Sequence, residues 1–165
     1  MIKQYEDFLD QQVLYKAQQL SEQYLSQGHH FRTNANWHKD IVKNSAPVLI
    51  APLDDTEIKS HINHMIRTHV GEQYHCPSPM IYYWNPGSYI PWHNDGNHPN
   101  GAVTIYISTE HDHDAGGYFM YRDPAGIHAI APENNRAVYV RGLDHCVTTV
   151  NAGTKTRKTI QCFLG

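Results

Sequence analysis

Three residues set the chemistry open to this chain. His93 and Asp95 lie two apart in Tyr89-Ile90-Pro91-Trp92-His93-Asn94-Asp95-Gly96, so on an extended strand both side chains point to one side. An imidazole and a carboxylate there make half of a metal site. Asp144-His145-Cys146-Val147 offers a third ligand, His145, 50 residues past Asp95. Two histidines and one carboxylate on a single face of a metal leave the opposite coordination positions open. A lone His-x-Asp pair is more often a surface turn, and the chain has 13 histidines. The pair therefore needs support from its surroundings.

That support comes from five features in order. Thr104-Ile105-Tyr106-Ile107-Ser108 reads as a strand, and Gly116-Gly117-Tyr118-Phe119-Met120-Tyr121 as another. Then come Ala131-Pro132-Glu133-Asn134-Asn135-Arg136-Ala137-Val138-Tyr139-Val140, His145-x-Val147-x-x-Val150-x-x-Gly153, and Arg157-Lys158-Thr159. Two histidines with one carboxylate are also the ligand set of non-haem Fe(II) oxygenases. The order from about Met80 to Leu164 resembles the Fe(II)- and 2-oxoglutarate-dependent dioxygenases, and within them the prolyl 4-hydroxylase-like group.

The resemblance implies a set of roles. His93, Asp95 and His145 would hold Fe(II), with 2-oxoglutarate and O₂ in the open positions and ascorbate as an optional reductant. The reaction would hydroxylate an unactivated C–H bond and release succinate and CO₂. Relatives that halogenate lack the carboxylate, so Asp95 favours hydroxylation. The far carboxylate of 2-oxoglutarate needs a buried cation, because an unpaired charge inside a barrel is costly. Lys155 stands ten residues past His145 and Arg157 twelve past. Arg157 is preferred, because Arg157-Lys158-Thr159 matches the family's Arg-x-Ser/Thr step and a guanidinium fork suits a carboxylate. Tyr106 occupies the place of a tyrosine that donates to the same carboxylate, and Thr159 could add a second hydroxyl. Tyr83, or its neighbour Tyr82, is a further candidate to line the cosubstrate pocket. The substrate implied is a prolyl residue in a peptide or protein, met by a rim around Trp84–Tyr89 and Tyr121–Asp123.

The elements that must position these residues divide near residue 80. Tyr5, Phe8, Leu9, Val13, Ala17, Leu20 and Tyr24 recur at three- and four-residue steps, predicting a helix with one apolar stripe that stops at Gly28. Pro47–Pro52 could be a short strand. A second helix opens with Asp54 as cap and Glu57 three residues on. Its stripe is Ile58, Ile62, Met65, Ile66 and Val70, ending before Gly71. From Met80 the pattern becomes short β-prone runs separated by Gly, Pro, Asn and Asp. Strands are expected near 80–84, 88–93, 102–108, 117–121, 126–130, 136–140, 144–150 and 156–163. That number suits a double-sheet jelly roll. In 103–108 Val103, Ile105 and Ile107 share one face, while Thr104, Tyr106 and Ser108 share the other. The expected fold class is mainly β with flanking helices (α+β), a double-stranded β-helix. Residues 1–79 form its helical support and 80–165 its catalytic core, within one domain.

Composition excludes several classes. The 165 residues carry a formal charge of −3, so no general attraction to nucleic acid or anionic lipid is expected. No apolar stretch approaches membrane-spanning length, and Met1–Asp7 lacks an apolar signal core. The three cysteines Cys76, Cys146 and Cys162 have no metal spacing and fit reduced thiols in a cytoplasm. His111-Asp112-His113-Asp114 reads as a solvated turn, because adjacent side chains cannot all converge on one ion. Gly116-Gly117 is expected to serve the backbone, and Arg136 a structural turn. The competing functions are the same chemistry on a nucleic acid or small molecule, a cupin-like metal enzyme, and a non-catalytic jelly-roll carbohydrate module using Trp37, Trp84 and Trp92.

Overall fold

Alternation along the strands decides the architecture. The structure, a computed structural model, describes residues 1–32, 47–109 and 112–165. Eleven strands and two α-helices are described: β1 Ile2–Tyr5, α1 Gln11–Ser26, β2 Phe31–Arg32, β3 Leu49–Pro52, α2 Thr56–His69, β4 Met80–Trp84 and β5 Ile90–His93. They continue as β6 Ala102–Tyr106, β7 Phe119–Asp123, β8 Gly126–Ile130, β9 Ala137–Val140, β10 His145–Val147 and β11 Arg157–Phe163. All pairings are antiparallel. Seven strands form one sheet in the order β1-β9-β6-β11-β4-β3-β2, and four form a second in the order β5-β10-β7-β8. This is a double-sheet jelly roll with a helical layer on one side.

The larger sheet is apolar on its outer face. Ile81, Tyr83, Val103, Ile105, Tyr139, Ile160 and Cys162 project there, each 2% exposed or less, and meet Val13, Leu14 and Ala17 of α1 and Ile58, Ile62 and Ile66 of α2. Its inner face turns Tyr82, Trp84, Thr104, Tyr106 and Gln161 toward the smaller sheet, where Phe119 and Val147 close the gap. The face expected for Val103, Ile105 and Ile107 is therefore the helix-packed one, and Thr104 and Tyr106 do face the cavity. All eight strands expected after residue 79 form.

The first 79 residues differ from the expectation in two respects. They are not a helical layer alone, since β1, β2 and β3 extend the larger sheet. The stripe expected to start a helix at Tyr5 also begins too early. Ile2–Tyr5 is a strand paired with β9, and Asp7 takes φ 48°, which breaks the chain before Gln11. Phe8 and Leu9 stay buried because Asn135 satisfies their backbone. The Leu9 N–H donates to Asn135 Oδ1 at 2.8 Å, Asn135 Nδ2 donates to the Leu9 carbonyl at 2.8 Å, and the Phe8 N–H donates to the Asn135 carbonyl at 3.0 Å.

Helix α1 ends as expected, with Gly28 at φ 70°. Helix α2 is capped one residue later than expected. Asp55, not Asp54, accepts from the Ile58 N–H at 3.0 Å, the short-range bond that an N-cap carboxylate makes. Asp55 also pairs with Lys16 of α1 at 2.9 Å, which ties the two helices together. Among the described residues, no helix is long and apolar enough to cross a membrane. Arg136 is structural as expected, bonding Glu6, Glu133 and the Ala131 carbonyl.

Candidate metal centre and its cavity

Two neighbouring strands of the smaller sheet set the histidines side by side. His145 of β10 lies directly opposite His93 of β5. Opposed residues of an antiparallel pair point to the same face at close range, and their ring centroids are 4.4 Å apart. The register then shifts, so that Val147 faces Ile90. This extra residue in β5 is a bulge, a device that re-aims side chains beside a site. It turns both Ile90 and His93 into the cavity and leaves Trp92 38% exposed on the outer face.

Asp95 reaches the same point by a different route from the one expected. β5 ends at His93, and Asp95 opens a turn in which the His98 N–H donates to its carbonyl at 2.8 Å. Its carboxylate lies 3.6 Å from His93 Nε2 and 3.5 Å from His145 Nε2. The three ligand atoms lie within 4.8 Å of one another, and among the described residues no other such group occurs.

Backbone carbonyls fix the orientation of both rings. His93 Nδ1 is 2.8 Å from the Pro91 carbonyl, and His145 Nδ1 is 2.9 Å from the Leu143 carbonyl. A ring donating Nδ1–H to a carbonyl presents a bare Nε2 lone pair. Burial, with the neighbouring His93, pushes the His145 pKa down, so the neutral ligating form is favoured. The donor set fits a hard or borderline divalent ion such as Fe(II).

The cavity between the sheets has a volume of about 240 Å³. His93, Asp95 and His145 line it, together with Tyr106 and Arg157. Arg157 opens β11 and is 8% exposed. Its guanidinium lies 4.7 Å from the Trp84 ring centroid and 5.7 Å from that of Tyr106, and Nη1 donates to the Gly117 carbonyl at 2.6 Å. Its Nε has no partner among the described residues, and neither does its charge: no described carboxylate pairs with it. Burial lowers its pKa to about 10, opposed by Tyr106, which leaves it a cation at neutral pH. Lys155 is exposed and lines a different cavity. The cavity thus holds a buried positive charge that no carboxylate among the described residues pairs with.

Gly117 makes this position possible. At φ 71°, a Cβ there would come within 3.2 Å of Arg157 Nε. Gly116, at φ 69°, would place a Cβ 2.1 Å from the Thr149 carbonyl. Both glycines serve the backbone, as expected, and Gly117 also gives the guanidinium its resting surface.

The remaining expected residues fall unevenly. Tyr106 is 1% exposed, and burial raises its phenol pKa, so the hydroxyl stays protonated and able to donate. Thr159 is fully buried and accepts from Trp84 Nε1 at 3.1 Å. Its hydroxyl anchors the Trp84 ring and is absent from the cavity lining. Tyr83 points the other way, and its hydroxyl donates to the Ser21 carbonyl of α1 at 2.8 Å. Tyr82, the neighbour on the opposite face of β4, lines the cavity instead. Trp84 is 3% exposed beside Arg157, so it is an inner wall and not a rim residue. Of the rival histidine-aspartate turn, Asp112 caps the short 3₁₀ turn His113–Ala115, while His111 and Trp37 lie outside the described residues.

Gln161 and Phe163 also line the cavity. Gln161 accepts from the Thr104 hydroxyl at 2.7 Å, and Phe163 stacks on His98 with centroids 4.0 Å apart. Counting in twos from Arg157 along β11 reaches both Gln161 and Phe163, so strand period alone was the signal.

No protein-family model matches the sequence, and no curated protein matches it closely enough to count as a relative. Solved structures do match in fold. A prolyl-4-hydroxylase from Pseudomonas putida is 12% identical with a TM-score of 0.76, over 99% of this chain and 91% of that one. A Trichoplax adhaerens prolyl hydroxylase, in complex with a hypoxia inducible factor oxygen degradation domain peptide fragment, is 15% identical at TM-score 0.77, over 99% and 82%. The viral collagen prolyl hydroxylase of Paramecium Bursaria Chlorella virus-1, as its 2OG complex, is 14% identical at TM-score 0.70, over 99% and 94%. The likeness read from Met80 onward thus extends, as fold, across nearly the whole chain.

Proposed function

We propose that this protein is an Fe(II)- and 2-oxoglutarate-dependent oxygenase that hydroxylates a C–H bond, with a prolyl residue of a peptide or protein as its substrate. The observation that carries the proposal is the pairing, in one cavity, of a His-Asp-His group with a buried and uncompensated arginine. A metal-binding or carbohydrate module has no use for that cation. A cosubstrate with a carboxylate at each end has a use for both features.

In this reading His93 Nε2, Asp95 and His145 Nε2 hold the metal on one side, and the Pro91 and Leu143 carbonyls fix the two rings. With 2-oxoglutarate and O₂, iron supplies the oxidising power: one oxygen atom enters the substrate C–H bond, and the other leaves in succinate as CO₂ is lost. Arg157 binds the distal carboxylate of the cosubstrate, and Tyr106 donates its hydroxyl to it. Trp84 covers the guanidinium, and Phe119 stacks on the His145 ring with centroids 5.3 Å apart.

The prolyl assignment is supported by the fold shared with three prolyl hydroxylases and by the cavity itself. His98 stacked on Phe163 gives a flat aromatic wall at the edge of the site, a surface suited to a proline ring. Of the tryptophans offered to the carbohydrate-module alternative, Trp84 is buried and Trp92 is exposed only on the outer face of the smaller sheet, away from the cavity. Succinate release from 2-oxoglutarate, with mass spectrometry of proline-containing peptides, tests the proposal. A gain of one oxygen on a prolyl residue is expected. Oxidation confined to free amino acids or nucleobases would overturn the substrate, and no succinate with any of them would overturn the activity.

A further inference from the structure

We propose that Arg122 and Asp144 form a clamp on the outer face of the smaller sheet that sets the spacing of the three metal ligands, with Arg122 acting as a positioning residue. The inference rests on the metal-binding reading of His93, Asp95 and His145.

The geometry is that of a cross-link between the ligand-bearing segments. Asp144 immediately precedes His145. One oxygen of its carboxylate accepts from Arg122 Nε at 2.9 Å and Nη2 at 2.5 Å, and the other from Asn94 Nδ2 at 3.3 Å. Asn94 is the residue between His93 and Asp95. The Arg122 guanidinium also lies 5.3 Å from the ring centroid of Trp92, the residue before His93. On β7, the Arg122 N–H donates to the Asp144 carbonyl at 3.1 Å, and its neighbour Tyr121 pairs with His145. Ligand and clamp residues therefore alternate along the chain. The ligand side chains are 8–21% exposed on the inner face, and Arg122 and Asp144 are 55% and 34% exposed on the outer one.

Such a cross-link has a specific task here. Asp95 stands beyond the end of β5 and depends on a turn for its place, while the bulge in β5 removes one regular ladder contact beside His93. A single carboxylate that grips both Arg122 of β7 and the Asn94 side chain restores that lost definition. Stability is a poor reason for the arrangement, since exposed ion pairs contribute little to it. Groups outside the ligand shell, by contrast, typically change metal affinity about 10–100-fold.

The test is calorimetric titration of Mn(II), a redox-inert stand-in for Fe(II), into the full chain and into Arg122→Ala, Arg122→Lys, Asp144→Ala, the double alanine variant and His145→Ala. Arg122→Ala and Asp144→Ala should each weaken Mn(II) binding by about tenfold, at the low end of that range, with Tm of the metal-free protein nearly unchanged. The double variant should be no worse than either single one, because the two residues act as a unit, and Arg122→Lys should recover most of the loss. Wild-type affinity in both single variants would overturn the clamp while leaving the metal site in place. Tenfold losses that multiply in the double variant would also overturn it. Absence of Mn(II) binding in the wild-type chain, or equal binding by His145→Ala, would remove the metal reading and the clamp with it.

Discussion

The two faces of the seven-stranded sheet are built from the same strands and do different work. Along β11, Ile160 and Cys162 enter the helix-packed core with no exposure, while Arg157 and Gln161 turn into the cavity. Along β4, Ile81 and Tyr83 face the helices, while Tyr82 and Trp84 face the site. One face gains free energy by excluding water from apolar side chains. The other holds a buried cation that no described carboxylate pairs with, which costs free energy. The strand period of two keeps these demands apart. Loss of a side chain on one face should leave the other face's task intact.

The largest expected effect is on the cavity face. Arg157→Ala should raise the 2-oxoglutarate requirement by about a thousandfold, since removing one partner of a buried charge pair costs about 3–5 kcal/mol. Lys155→Ala should change it by less than a factor of about five, as for an exposed charge. Steady-state succinate formation against 2-oxoglutarate concentration reads both. Tm of Arg157→Ala should move little, because the cation is uncompensated in the free protein. A reversed order of the two variants would mean that the cosubstrate cation lies two residues earlier.

Ile160→Ala breaks the comparison from the other side. It is fully buried in the helix-packed core, and truncation should cost about 2–5 kcal/mol of stability, read by urea unfolding. Cosubstrate affinity of the fraction that remains folded should match the wild type. Trp84→Ala follows. The buried position beside Arg157 predicts that it weakens 2-oxoglutarate more than the peptide, measured as separate KM values. The opposite split would return Trp84 to the rim.

The smallest effect concerns the helical layer. Asp55→Asn keeps a capping oxygen for the Ile58 N–H but removes the charge, and should lower stability at neutral pH by about 0.5 kcal/mol, as for a carboxylate charge at a helix N-terminus. Lys16 and the Ile58 N–H hold the Asp55 carboxyl below its ordinary pKa. A group whose folded pKa is depressed contributes stability above its unfolded pKa and loses it as pH falls through the folded value. The difference between Asp55→Asn and wild type should therefore shrink below about pH 4. A gap that stays constant from pH 7 to pH 3 would count against this.

How much could be read from the sequence depends on which signals were local. The parity of Val103, Ile105 and Ile107 against Thr104 and Tyr106 needs only the strand period, and it is met. The pairing of β1 is not legible, because Ile2-Lys3-Gln4-Tyr5 is short and half polar, and its partner β9 lies more than 130 residues away. Tyr82 and Tyr83 cannot be told apart in Met-Ile-Tyr-Tyr-Trp, since both faces of β4 are buried and no polar residue marks the side. The convergence of His93 and Asp95 was legible but for the wrong reason: a bulge and a turn achieve what a regular strand was expected to do. The Arg122–Asp144 pair joins a residue of β7 to the one just before β10, and nothing in the sequence links them.

The central claim is that the three ligands and Arg157 form one two-ended site, in which the metal and the cosubstrate bind together. Anaerobic calorimetric titration of 2-oxoglutarate, with and without Fe(II), into wild-type protein and His145→Ala tests it most directly. Tight binding is expected only to the wild type with Fe(II) present, and weak binding in the other three combinations. Equal affinity with and without Fe(II), or full affinity in His145→Ala, would contradict it.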